Sequence, residues 1–187
     1  MRTIVIAILF AAGLFRMAAA ESIDIGPAIG TPIPSPFVVR DGTGAKTEFA
    51  DLSGTAGVVL VFVRSAVWCP YCIQQLRDIQ TVTDLLRKRG FRLASVSYDA
   101  PEVLAKFAEK YAITYDVMSD QNSAMIDAFG IRDLQYKPGS RAYGVPKPGI
   151  FIVDRSGIVR AKLAEDGYKT RPPSQAIVAA VEGLNTP

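Results

Sequence analysis

The sequence predicts an α/β fold, a central mixed sheet flanked by helices, and three stretches carry that expectation. "VVLVFV", Val58 to Val63, is an unbroken β-branched and aromatic run of the kind a strand buried on both faces requires. Behind it Ile73, Leu76, Ile79, Val82, Leu85 and Leu86 recur at steps of three and four until Gly90 stops them, which predicts a helix. "GIFIVD" and "IVRAKL" flank a tight turn at Arg155 to Gly157 and read as an antiparallel pair. A chain of 187 residues closes such a core as one domain without staples.

Taken in order, "MRTIVIAILFAAGLF" puts Arg2 ahead of an apolar run from Ile4 to Phe15, and "RMAAAE" supplies small residues at Ala18 and Ala20. Residues 1–20 therefore read as a secretory signal cut before Glu21, leaving residues 21–187 as the domain. An uncleaved anchor is the weaker alternative, because the run falls short of the roughly 20 apolar residues a spanning helix needs. "GPAIGTPIPSP" is an extended lead-in, and "FVVRDGTGAKTEF" alternates around Asp41 to Gly44 as an N-terminal β-hairpin. After the Val58 strand and its helix, "FRLASVSY" from Phe91 makes a second strand. "APEVLAKFAEKYAI" makes a helix opened by Pro101 and Glu102, with Val103, Leu104, Phe107 and Tyr111 on one face. Strand, helix, strand in that order implies a parallel pair with a right-handed crossover. Between Ile113 and Val145 comes an insertion, with a short strand around Tyr115 to Met118, a helix around Ser123 to Phe129 and a polar loop. The last helix, entered from Pro172, Pro173 and Ser174, is expected to bury Ile177, Ala180, Val181 and Leu184.

Composition excludes several functions. Without residues 1–20 the chain loses Arg2 and Arg16, so 21 basic and 18 acidic residues become 19 and 18, a net charge of +1 that offers nucleic acid nothing. "RKRG", Arg87 to Gly90, reads as cations and glycine closing a helix. The Gly-Thr-Gly of the hairpin lacks the pattern and setting of a nucleotide loop. Histidine is absent, which removes Ser-His-Asp triads, Cys-His pairs and His-built zinc sites.

The chemistry is expected in "SAVWCPYCIQQL", which holds both cysteines of the chain, Cys69 and Cys72. As a staple, a disulfide closing four residues removes only about 2 kcal/mol of unfolded-state entropy, against about 3 for a fifteen-residue loop. Its place suggests reactivity instead. A thiol at a helix N-terminus faces unpaired N–H groups and the positive dipole end, both of which favour the thiolate that attacks disulfides and peroxides. Cys72, one turn on, reaches back to resolve the mixed disulfide, and Pro70 costs nothing at the first helical position. An oxidising compartment, the periplasm, follows from the signal and suits such a pair.

Strand, "WCPYC" and helix, then strand, helix, two antiparallel strands and a final helix, resemble the thioredoxin fold with its redox dithiol. The hairpin, "DLSG", "YDVMSDQNSAMIDAFGI" and "GVPKPGIFIVDRSG" resemble more narrowly the redoxin branch, which holds alkyl hydroperoxide reductases, thiol-specific antioxidant proteins and exported thioredoxin-like reductases. The resemblance implies a cis-proline facing the dithiol, assigned by its spacing to Phe151 to Pro148, with Pro146 second. It implies that Trp68 flanks the dithiol beside Pro70 and Tyr71, where core packing is the plainer role for a lone tryptophan. Two departures stand out. The buried acid six positions before the nucleophile is Val63. The peroxiredoxin proline and Thr/Ser are Phe62 and Ala66, Ser65 is one place out of register, and the arginine kept before the third core strand is missing, with Arg141 nearest. Arg64 and Ser65 could furnish part of a peroxide cradle, though a solvated strand end is the simpler expectation.

The first reading is thus an exported thiol-disulfide oxidoreductase with Cys69 as nucleophile and Cys72 resolving. It would work on a protein or small-molecule disulfide or thiol, with a separate reductant and no cofactor or metal. The membrane enters only through an uncleaved signal. "CPYC" matches the dipeptide of glutaredoxins, a family at about −200 to −230 mV. The alternative is a peroxiredoxin-like peroxidase with Cys69 peroxidatic, and a remote one is a Cu(I) module on the two thiolates.

Overall fold

The computed structural model describes residues 23–184. The signal expected over residues 1–20 and its cut before Glu21 lie outside them. No helix among the described residues is long and apolar enough to cross a membrane.

Seven strands form one mixed sheet flanked by helices. The hairpin pairs β1, Val38–Arg40, with β2, Lys46–Glu48, in register Val39 to Thr47. The Asp41 carboxylate closes its turn by accepting from the Thr43 and Ala45 N–H groups and from the Thr43 hydroxyl. A short helix α1, Phe49–Leu52, leads to β3, Gly57–Phe62. Then follow α2, Pro70–Asp78, a 3-10 turn at Ile79–Val82, and α3, Thr83–Lys88. Next come β4, Phe91–Ser97, α4, Pro101–Lys110, β5, Asp116–Ser119, and α5, Ala124–Ala128. The chain finishes with β6, Gly149–Asp154, β7, Val159–Leu163, and α6, Ser174–Gly183. The strand order is β2-β1-β5-β4-β3-β6-β7, with β3, β4 and β5 parallel and β6 antiparallel to β3.

β3 sits inside the sheet, between β4 and β6, because its side chains are apolar on both faces. Val59, Val61 and Val63 pack with Leu76, Ile79 and Leu86, with Leu104 and Phe107 of α4, and with Ile177, Val178 and Val181 of α6. Val58, Leu60 and Phe62 point the other way, into Phe37, Met125, Ile126, Phe129 and Phe151. Ile152 on β6 lies fully buried in the first of these clusters. Trimming it to valine is expected to cost about 1 kcal/mol, seen as a lower urea midpoint at constant slope. An unmoved midpoint would mean that this layer is loosely packed.

Two details differ from the sequence expectation. The single helix expected from Tyr71 up to the stop at Gly90 is broken by the 3-10 turn, where "IQTVT" brings β-branched side chains together and Thr81 Oγ1 donates to the Asp78 carbonyl at 2.7 Å. Leu85 is consequently turned outward and 37% exposed, while Gly90 still ends the helical run at φ +81°. On α6, Val178 takes the buried place expected for Leu184, which is the exposed C-cap of the helix.

Candidate active site

The site is built where β3 ends. Val63 N–H still donates to the Val96 carbonyl at 3.0 Å, after which the chain leaves the sheet and turns into α2. That turn is held by one buried carboxylate. Asp99, just past the C-terminal end of the neighbouring β4, accepts from Ser65 Oγ at 2.8 Å, Ala66 N at 2.7 Å and Ser97 Oγ at 2.8 Å. Ser65 Oγ in turn accepts the Val67 and Trp68 N–H groups at 3.0 and 3.4 Å. These bonds fix the backbone that delivers Cys69.

Cys69 is the N-cap of α2, with Pro70 at the first helical position as the sequence predicts. Its carbonyl accepts from Cys72 N and Ile73 N, and its sulfur lies 3.3 Å from Cys72 N. Cys69 and Cys72 are joined as a disulfide with a Cα separation of 5.2 Å. Both sulfurs are covered, Cys69 being 2% and Cys72 0% exposed. Val63 packs in the same apolar cluster, so the place of an internal acid is filled by hydrocarbon.

Aromatic and cationic groups close over the pair. Tyr71 meets Tyr168, from the β7–α6 loop, edge to face at 6.1 Å. The Arg64 guanidinium lies 4.1 Å from the Tyr168 ring, 5.0 Å from Tyr136 and 5.1 Å from Trp68, and donates to the Tyr136 hydroxyl at 2.7 Å. Arg64 is only 3% exposed, which overturns the solvated strand end: three rings replace its water. Trp68 flanks the dithiol, donating from Nε1 to Tyr98 Oη at 2.9 Å, with Arg141 also 5.1 Å from its ring. Burial, the largest influence, raises the Tyr98 phenol above its ordinary value. From the same loop, Arg171 Nη2 lies 3.5 Å from Cys72 Sγ. A cleft of about 380 Å³ beside it is lined by Tyr71, Gln75, Ile79, Arg171 and Pro172.

Pro148 needs correcting. Its peptide bond is trans, as is that of Pro146, and the cis bond among the described residues is Ser35–Pro36. The segment before β6 is tied as an extended strand, with Asp133 N donating to the Val145 carbonyl and Lys147 N to that of Ile131. An extended trans backbone satisfies both bonds. Pro148 lines a cavity of about 200 Å³ with Asp133, Gln135, Lys147 and Tyr168.

The peroxiredoxin departures acquire a physical meaning. Phe62 packs on the sheet face away from α2, 4.8 Å from the Phe129 ring, and Ala66 carries no hydroxyl. The Ser65 hydroxyl is already committed to Asp99 and two backbone N–H groups. Asp99, Tyr136, Tyr168 and Arg171 were not singled out from the sequence. Asp99 alone carried a signal, as a carboxylate directly after a parallel strand, where α/β sheets gather their functional groups.

Fold and dithiol together define a redoxin, a thiol-based oxidoreductase of either the disulfide-exchanging or the thiol-peroxidase kind. Residues 29–162 match the AhpC/TSA family, and the chain belongs to that family. It is 26% identical over 162 residues to the thiol-disulfide oxidoreductase ResA of Geobacillus thermodenitrificans, covering 86% of this chain and 83% of that one. It is also 26% identical over 146 residues to the peroxiredoxin Bcp of Escherichia coli, covering 78% and 90%. Among solved structures it resembles the peroxidoxin BcpB of Mycobacterium tuberculosis, with a TM-score of 0.73 at 20% identity over 87% of this chain and all of that one. That last likeness concerns the fold.

Proposed function

We propose that this chain is an exported thiol-disulfide oxidoreductase in which Cys69 exchanges with substrate sulfur and Cys72 closes or opens the intramolecular disulfide. The observation that carries the reading is the Cys69–Cys72 disulfide at the N-terminus of α2, beside a Ser65 hydroxyl with no capacity left for a peroxide. A peroxide needs donors arranged around its leaving oxygen, and the residues at the family's two cradle positions, Phe62 and Ala66, offer no side-chain donor. Disulfide exchange needs only a nucleophile, a leaving group and access. Export rests on the sequence of residues 1–20. The substrates are then protein or small-molecule thiols and disulfides, with a separate redox partner.

Thiol peroxidase activity is the second reading, favoured by the peroxiredoxin relative and by the guanidinium beside the dithiol. Trp68, the chain's one tryptophan, reports on both. Reduced protein is mixed in stopped flow with hydrogen peroxide and, separately, with a disulfide, following fluorescence and thiol loss. Fast disulfide exchange with slow peroxide consumption is expected. Peroxide reacting far faster than an ordinary low-pKa thiol would replace the exchange reading with the peroxidase one.

A further inference from the structure

Beside the disulfide lie two guanidinium groups without counter-ions. No ion pair among the described residues includes Arg64 or Arg171. Both Nε atoms are buried and make no hydrogen bond. The two share Tyr168, whose ring faces Arg64 and whose carbonyl accepts from Arg171 Nη1. Arg171 Nη1 also donates to the Thr170 carbonyl at 2.8 Å, leaving Nη2 directed at Cys72 Sγ. Burial, and after it the charge on Arg64, pull the Arg171 guanidinium down to about 10, so it still carries its proton at neutral pH. Buried charges without a partner are costly to hold. Rings and carbonyls offset part of that cost, but in the disulfide state no anion does, because both sulfurs are neutral.

Reduction changes the balance. We propose that Arg171, with Arg64 behind it, is the counter-charge of the Cys72 thiolate, so that the Cys69–Cys72 disulfide works as an oxidant of substrate thiols with Cys72 as its leaving group. This rests on the exchange reading above. A substrate thiolate attacks Cys69 Sγ and the Cys69–Cys72 bond breaks. Its electron pair stays on Cys72 as a thiolate facing Arg171 Nη2. The substrate's second thiolate then attacks the substrate sulfur of the mixed disulfide and expels Cys69 as a thiolate. Two electrons pass from substrate to protein, the substrate's two thiol protons go to solvent, and a substrate disulfide leaves. Arg171 thereby supplies what the hydrocarbon of Val63 cannot: Cys72 departs without needing a proton. A low-pKa leaving thiol departs faster, and stabilising the reduced form makes a dithiol more oxidising.

Two measurements decide it. In a Cys69→Ser chain Cys72 is the only thiol, and its ultraviolet thiolate absorbance is titrated with Arg171 present, as Arg171→Lys and as Arg171→Met. Loss of the charge is expected to raise the midpoint by at least about one unit, with lysine recovering most of it. In the two-cysteine protein, Arg171→Met is expected to lower the equilibrium constant for oxidising glutathione about tenfold, which is about 30 mV. Thermal midpoints control for loosening of the loop. An unchanged titration and an unchanged equilibrium, with only the thermal midpoint lowered, would reduce Arg171 to a packing residue and overturn the proposal. A wild-type disulfide that never equilibrates with glutathione would instead overturn the exchange reading, and the titration of Cys72 still decides the role of Arg171.

Discussion

Replacing Cys69 with serine is expected to slow disulfide exchange by a factor of at least about 10³, because an alkoxide is not available near neutral pH and the remaining thiol, Cys72, is fully buried one turn inside α2. Cys72→Ser should behave differently. Its partner still sits at the N-cap of α2 with the helix dipole and the Cys72-position N–H behind it, so Cys69 attacks but cannot be released. The expected product is a mixed disulfide that accumulates stoichiometrically and is seen as added mass in a non-reducing preparation. The asymmetry follows from burial as well as from order in the chain: Cys69 keeps 2% of its surface and Cys72 none. If Cys69→Ser trapped the substrate and Cys72→Ser did not, the roles would be reversed and the helix N-terminus would not be choosing the nucleophile.

The parts of this molecule that were legible in advance are those whose cause is local. β3 announces itself because every residue from Val58 to Phe62 must be apolar to lie between two layers, and the dithiol because a strand end, a proline and a helix start all fall within a few residues of Cys69. The 3-10 turn was not legible, since Ile79 and Val82 satisfy a period of three as well as one of 3.6 over so short a span. Pro148 was misjudged because its spacing to Phe151 says nothing about the bridge between Arg132 and Pro146 that keeps the preceding backbone extended. Arg64 and Arg171 were harder still. The burial of Arg64 depends on Tyr136, 72 positions away, and Arg171 reaches a sulfur 99 positions back. A cation in a loop is ordinarily solvated, and the β7–α6 loop lying over the dithiol, with Tyr136 and Trp68 beside Arg64, makes these two exceptional.

Asp99 shows how such a distant residue can govern the site without touching sulfur. Asp99→Ala removes the acceptor of three buried donors at once, Ser65 Oγ, Ala66 N and Ser97 Oγ. The two hydroxyls can rotate toward other partners, but the Ala66 N–H is fixed by the backbone and stays unpaired. A loss of about 3–5 kcal/mol is therefore expected in denaturant unfolding, more than any single neutral hydrogen bond contributes. Exchange should slow as well, because Ser65 no longer has an anchor from which to hold the Val67 and Trp68 N–H groups that precede Cys69. Asp99→Asn separates the two effects. Its amide oxygen can keep Ala66 N–H and the Ser97 hydroxyl, while its NH₂ group must face a Ser65 oxygen that already accepts twice. About one bond's worth of stability, 1–2 kcal/mol, should go, and the fluorescence of Trp68 should report a shifted turn. Equal stability losses in the two variants would mean that the carboxylate's shape and one accepting oxygen are not enough, and that both oxygens must accept for β3 to hand the chain on to Cys69.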